Sequence, residues 1–236
     1  MSSSNKNLQT DSILSDLPDD VLSNLANRSW EAEGTAGMPV YLSDDSANLL
    51  YFLKSGRVRL YYPTSQQKRI TMDFLEPGAL FGESALMEFE VRGEAAETVE
   101  DSRLQVFPGD YFRQVMEDSQ ELFRTIFNFI NNRRRRVQNR LRTLVYEDAR
   151  KRVIYVLLDF VHGLGPTGGS IESDTLDLTH QELADMAGLA RPTTTKILNA
   201  LEDEGSLTLE KSGITLREPL QLKKEIHILE SDQDGV

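Results

Sequence analysis

The chain has 236 residues, 39% of them hydrophobic and 27% charged, which suits one or two domains with a packed core and excludes wholesale disorder. It has no cysteine, which excludes disulfides, thiolate zinc sites, cysteine-held iron–sulfur clusters and cysteine nucleophiles. The net charge of −12 runs against the basic balance usual in nucleic-acid binders, and no apolar run approaches the roughly 18 residues of a membrane helix.

Residues 1–15 are rich in Ser and Asn and are expected to be mobile, without the apolar core of a secretory signal. A cytoplasmic protein with no membrane partner is expected. Asp16-Leu-Pro-Asp-Asp-Val-Leu22 carries helix-start chemistry, with Val21, Leu22 and Leu25 on one face. From Trp30 to Phe107 the pattern changes to short runs punctuated by Gly and Pro. Residues 51–61 read as two strands about a turn at Ser55-Gly56. Ile70–Leu75 is a strand stopped by Glu76-Pro-Gly78, and Ser102–Phe107 is one stopped by Pro108-Gly109. The expectation over 16–109 is an antiparallel β-roll.

The period then becomes helical. Leu122, Ile126, Ile130, Val137, Leu141 and Leu144 lie three, four or seven apart, and no proline interrupts 110–163. A single helix over 110–146, or two abutting ones, is predicted, with an apolar seam suited to a second copy of itself. Asn131, Asn132 and Arg133–Arg136 interrupt the seam, so one or two of these arginines must point toward it. Between Arg133 and Arg152 nine bases face only Glu147 and Asp148, a local charge of 9 − 2 = +7. The acid excess lies elsewhere, partly in an acidic tail over 218–236. Gly163–Ser170 is a loop that lacks the Gly-Lys-Ser/Thr ending of a phosphate loop.

The segment 179–202 has the sharpest meaning. Thr179 with Glu182 three residues later is a capping box. Leu183, Ala184 and Ala187 give a short helix one apolar face, Gly188 supplies the bend, and Leu189 fills the angle. Pro192 is tolerated only in a first turn, so a second helix starts near Arg191 and packs back through Ile197, Leu198 and Leu201. This is a helix-turn-helix, whose second member fits the major groove. Residues 206–216 read as a two-stranded wing, and the winged module spans 147–217. The candidate DNA-contacting residues are Thr179, Arg191, Thr193, Thr194, Thr195 and Lys196, because Arg and Lys pair with guanine edges or phosphate and Thr bonds phosphate or touches a thymine methyl. From Thr179 to Arg217, however, four bases face six acids. Arg150, Lys151 and Arg152 are therefore expected to assist, and binding is expected to weaken steeply with salt.

Four segments in this order, Tyr51-Phe-Leu-Lys-Ser-Gly-Arg-Val58, Glu76-Pro-Gly-Ala-Leu-Phe-Gly-Glu83, Ala95-Ala-Glu-Thr-Val-Glu-Asp-Ser102 and Leu178-Thr-His-Gln-Glu-Leu-Ala184 with Arg191-Pro-Thr193, carry a resemblance. From about Leu17 to Leu216 the chain resembles the Crp/Fnr superfamily of bacterial transcription factors (cyclic-AMP receptor protein and fumarate–nitrate reductase regulator). The resemblance implies an α+β chain: an N-terminal β-roll effector domain, a dimerising helix and a C-terminal winged helix-turn-helix. It also implies a homodimer on a roughly palindromic duplex operator, with RNA polymerase as a partner and a small-molecule effector.

In cyclic-nucleotide binders of that family an Arg-Ser/Thr-Ala run supplies the arginine that neutralises the cyclic phosphate, and a glutamate equivalent to Glu83 holds the ribose. Here the run reads Glu94-Ala95-Ala96, and Val137-Gln138 stands where a Thr-Ser pair meets the base. Two anions brought together repel, so a cyclic nucleotide is not expected, and Arg92 compensates only if its loop shifts. The candidate effector residues are Gly82, Glu83, Arg92 and Ala95, although Gly82 and Glu83 also read as turn formers. Arg133 and Arg134 either hold an anionic effector at the dimer interface or pair with acids of the β-roll. No cofactor is expected: the iron–sulfur branch needs cysteine, and haem, though open to the family, finds no support, since His162, His180 and His227 all lie in the C-terminal half. His180, beside the capping box, reads as structural.

The recognition segment departs from the family's Arg-Glu-Thr start and following arginine, having Arg191-Pro192-Thr193 and Lys196 instead. Pro192 cannot accept a hydrogen bond from cytosine, so specificity at that base pair is expected to be relaxed or altered. No acid–base pair, nucleophile–histidine set or metal-ligand cluster has catalytic spacing, so an enzyme is not expected. The alternative is a sensing module that acts on a protein partner and carries a vestigial helix-turn-helix.

Overall fold

The structure, a computed structural model, describes residues 13–64, 69–87, 89–161, 175–210 and 213–226. These fall into two compact units that divide between residues 131 and 132, inside a long helix.

The first unit opens with helix α1 (Asp19–Ala26), whose Val21, Leu22 and Leu25 are buried. Strands β1 (Trp30–Gly34), β2 (Pro39–Tyr41), β3 (Leu49–Ser55), β4 (Val58–Pro63), β5 (Arg69–Leu75), β6 (Leu80–Phe81), β7 (Ala95–Thr98) and β8 (Ser102–Pro108) follow. They form two antiparallel four-stranded sheets, β1-β8-β3-β6 and β2-β7-β4-β5, which make the β-roll. Strand β3 is buried on both faces, which is why its sequence does not alternate between apolar and polar. Tyr51 and Leu53 join Val58, Leu60, Phe81 and Val106 inside the roll. Leu50 and Phe52 point the other way, into a second cluster with Leu22, Phe107, Phe112 and Ile126. That cluster also holds Leu14, so the segment expected to be mobile is anchored at its end; residues 1–12 lie outside the described residues.

The predicted long helix is two helices, α2 (Gly109–Asp118) and α3 (Gln120–Tyr146). Ser119 separates them in an extended conformation, and its hydroxyl accepts the Leu122 N–H at 3.2 Å, capping α3. The expected seam also divides. Leu122, Ile126 and Phe129 are buried in the first unit's own core. Other apolar side chains of α3 are exposed: Phe123 and Phe127 in the first unit, and Val137, Leu141 and Val145 in the second.

The second unit contains α4 (Ala149–Val161), β9 (Thr175–Leu176), α5 (His180–Ala187), α6 (Arg191–Asp203), β10 (Leu207–Glu210), β11 (Gly213–Leu216) and α7 (Pro219–Glu225). β10 and β11 form the expected wing, and β9 adds a third antiparallel strand that the sequence reading missed. Its core joins Val153, Ile154, Leu157, Leu183, Leu198, Leu201, Leu207 and Leu216. Helix α7 corrects the expected tail: Pro219 starts a helix and Leu222 is fully buried. The acidic stretch from 227 onward, the loop at 163–170, His162, His227 and the wing tip at 211–212 lie outside the described residues.

Candidate nucleic-acid interface

Helix α5 begins with the predicted capping box. The Thr179 hydroxyl accepts the Glu182 N–H at 3.2 Å, and Glu182 Oε2 accepts the Thr179 N–H at 2.8 Å. Gly188 ends the helix with φ +63, a left-handed conformation that glycine adopts without cost. A Cβ there would stand 3.1 Å from Leu144 of α3. Arg140 of α3 donates to the Met186 carbonyl at 2.6 Å, closing one of the α5 end carbonyls. The turn of the motif is thereby fixed from both sides.

Helix α6 starts at Arg191, with Ala190 as N-cap and Pro192 in the first turn, as the sequence predicts. Arg191, Thr193 and Lys196 are exposed at its N-terminal edge, and Thr195 is half-buried. Thr194 corrects the sequence reading: it is fully buried. Three residues on from Arg191, it turns into the unit, and its hydroxyl donates to the Ala190 carbonyl at 3.5 Å. His180 Nδ1 lies 3.0 Å from Thr195 Oγ1, a contact that ties the start of α5 to α6.

The charge count of the module changes meaning once the acids are placed. Glu182 is in the capping box, Asp185 accepts from Gln181 at 2.7 Å, and Glu202 accepts the Leu209 N–H of the wing at 2.8 Å. Glu204 is held by both terminal nitrogens of Arg150, at 2.9 and 2.6 Å. That hydrogen bond keeps the Glu204 carboxyl below the usual carboxylate range. Four of the six acids therefore do structural work.

The same geometry corrects the expected help from residues 150–152. Arg150 bonds both Glu204 and Glu225, tying α4 to the end of α6 and to α7. Lys151 pairs with Glu147 at 2.9 Å, and Arg152 donates to the Glu147 carbonyl at 3.0 Å. Deeper in the unit, Arg136 of α3 pairs with Asp159 of α4 at 3.3 Å. Burial, and then the Asp159 charge, push the Tyr155 hydroxyl pKa far up.

In the first unit, three of the candidate effector residues, Gly82, Glu83 and Arg92, meet at one turn. Gly82 has φ +78, and a Cβ there would stand 2.8 Å from the Arg92 guanidinium and 3.1 Å from the Leu49 carbonyl, so only glycine fits. Glu83 opens a 3-10 turn over Glu83–Leu86. The sequence reading leaves Arg92 two residues short of the family's arginine, yet the structure brings it to this turn. Arg92 is 7% exposed and donates to the carbonyls of Gly82 (3.0 Å) and Leu49 (2.7 Å). Tyr41 and Tyr51 hold it by their ring faces, at 4.4 and 5.5 Å. Glu94 accepts from the Tyr41 hydroxyl at 3.3 Å, and Ala95 is buried in β7. A surface cleft of 420 Å³ at the ends of β1 and β8 is lined by Glu33, Asp101 and Arg103, and not by Gly82, Glu83, Arg92 or Ala95. Arg133 and Arg134 belong to the second unit. Among the described residues no His/Asp/Glu cluster could hold a metal, and no helix is long and apolar enough to cross a membrane.

Comparison with known proteins agrees with this division. The family model of the cyclic nucleotide-binding domain matches residues 35–119, and that of the Crp-like helix-turn-helix domain matches 151–225. The cyclic AMP receptor protein of Thermus thermophilus is 31% identical over 189 residues, 80% of this chain and 84% of the relative. The global nitrogen regulator of a Nostoc species is 24% identical over 79% of this chain and 84% of its own. Among solved structures, FixK2 from Bradyrhizobium japonicum superposes with a TM-score of 0.72 at 21% identity, over 83% of this chain and 96% of that one, a likeness of fold. A β-roll, a long helix and a capped helix-turn-helix, in this order and with a relative this similar, place the chain in the Crp/Fnr superfamily of transcription regulators.

Proposed function

We propose that the chain is a homodimeric, sequence-specific DNA-binding regulator of transcription, acting in the cytoplasm on a roughly palindromic operator and in contact with RNA polymerase. One observation carries the reading: Arg191, Thr193 and Lys196 stand exposed on the leading edge of a helix whose other side is locked into a capped, packed motif. Two-fold symmetry sets half-sites about 34 Å apart, one helical turn. The exposed Val137, Leu141 and Val145 of α3 are the surface for the second copy, and apolar residues at this spacing suit a coiled-coil contact. The vestigial alternative is not favoured, because the module matches the Crp-like helix-turn-helix family throughout 151–225.

The effector we infer is not a cyclic nucleotide. The Arg92 guanidinium is turned onto two backbone carbonyls and two aromatic rings, and Glu94 adds negative charge nearby in sequence. A second reading keeps the cyclic phosphate, because Arg92 stands at the Gly82 turn and relatives are named for cyclic AMP. Calorimetry with cyclic AMP and cyclic GMP separates them: no heat is expected, and saturable binding lost in Arg92→Ala would reverse the assignment. The DNA reading is tested by band shifts on genomic fragments at low salt. Retention of fragments with inverted repeats is expected, weakening as salt rises; retention of none overturns it. Leu141→Glu should convert the sedimenting species from dimer to monomer and abolish tight operator binding.

A further inference from the structure

We propose that His180 sets whether the Thr195 hydroxyl gives or receives a hydrogen bond on the DNA-facing edge of α6, so that proton uptake by His180 strengthens DNA binding. The inference rests on the DNA-binding reading above and deepens it. His180 Nδ1 and Thr195 Oγ1 are 3.0 Å apart, and either atom can be the donor. Among the described residues Thr195 Oγ1 has no other hydrogen-bond partner. Thr195 lies one helical turn after Arg191, on the same face, and is half-buried rather than enclosed.

A threonine hydroxyl has one proton. While His180 is neutral with Nδ1 bare, that proton points at the ring. Thr195 then offers DNA only lone pairs, which repel a phosphate oxygen, guanine O6 or N7, and thymine O4. Once Nδ1 carries a proton, the ring becomes the donor. The hydroxyl proton is released toward the duplex, where phosphate and most base edges accept. The imidazolium has the proton on Nδ1 without choice of tautomer, so acidification fixes Thr195 as a donor.

The charged surroundings leave this exchange to the pair itself. On α5, Glu182 is engaged by Thr179 and Asp185 by Gln181. On α6, Arg191 and Lys196 flank Thr195 and are both cations. On α4, which packs against α5, Arg150 is bound to Glu204 and Glu225, Lys151 to Glu147, Arg152 to the Glu147 carbonyl, and Asp159 to Arg136.

The test is fluorescence anisotropy of the full chain on a retained duplex, at constant ionic strength, from about pH 8 to about pH 5.5, the span in which histidine charges. The wild type should bind about tenfold more tightly at the acid end, the effect of one added hydrogen bond to a charged acceptor. His180→Gln and Thr195→Val should each flatten the profile, and Thr195→Ser, which restores the hydroxyl, should restore it. Thr195→Val is the discriminating variant because it keeps the imidazolium. A pH dependence that survives in Thr195→Val means that the histidine charge acts directly, and the proposal falls. A flat wild-type profile, or a slope that survives in His180→Gln, also overturns it while leaving DNA binding intact. Absence of binding at every pH overturns the DNA reading and this inference with it.

Discussion

Two arginines in this chain sit beside hydrogen-bonding groups and are used in opposite senses. Arg92, at the turn of the β-roll, is buried, bonded to two carbonyls and held by Tyr41 and Tyr51. Arg191, at the start of α6, is exposed, and among the described residues its side chain has no partner. A guanidinium whose terminal nitrogens are bonded from within, as those of Arg92 are although its buried Nε has no hydrogen-bond partner among the described residues, builds structure, whereas one left in water keeps its planar fork for an outside acceptor. The contrast separates a region that has spent its polar groups on itself from one that has kept them.

The sharpest way to break this contrast is to remove each arginine in turn. Arg92→Ala takes the donor from the Leu49 carbonyl, at about 1–3 kcal/mol, and one of two from the Gly82 carbonyl, which keeps the Ala85 N–H; urea unfolding should show a loss of stability. Arg191→Ala should leave stability within about 0.5 kcal/mol and lower operator affinity by about 1–3 kcal/mol, relaxing preference at one base pair. If the first variant lost only DNA affinity, or the second lost only stability, the assignment of roles would be reversed.

Much of this was legible in the sequence, and the misses share a cause. Thr179, Glu182, Gly188 and Pro192 act over a few residues, so their spacing alone located the helix-turn-helix. Thr194 turned inward although its neighbours Thr193 and Lys196 are exposed, because the face a side chain takes depends on what α6 packs against. Arg150 read as a spare cation because its partners Glu204 and Glu225 lie 54 and 75 residues away. The net charge of the module misled for the same reason, since a count of acids cannot show which are already engaged. The sequence offers a single seam on α3 because Leu122 and Ile126 share the period of Leu141, yet only the fold decides which side is buried.

Two smaller effects sharpen the comparison. Thr179→Ala removes the capping box and should cost about 1 kcal/mol, seen in thermal melts and accompanied by weaker DNA binding as α5 frays. The Glu204–Arg150 tie should show in acid. The folded-state pKa of Glu204 is lowered by Arg150, so its contribution is present above the ordinary carboxylate value and is lost as pH falls through the lowered one. The difference in melting temperature between wild type and Glu204→Gln should therefore close on acidification; a gap that persists at low pH would show that the pair contributes nothing titratable.

The start of α6 differs from the start of α5 in what holds it. Ala190 offers no side-chain cap, and Thr193, Thr194 and Thr195 are consecutive β-branched residues, each a weaker helix former than alanine by up to about 0.7 kcal/mol. Apart from Pro192, the first turn of α6 is thus weak in its own composition, and its backbone amides are expected to exchange early with solvent deuterium. On the proposed reading a bound duplex would clamp that turn, and part of the binding energy would go to ordering it.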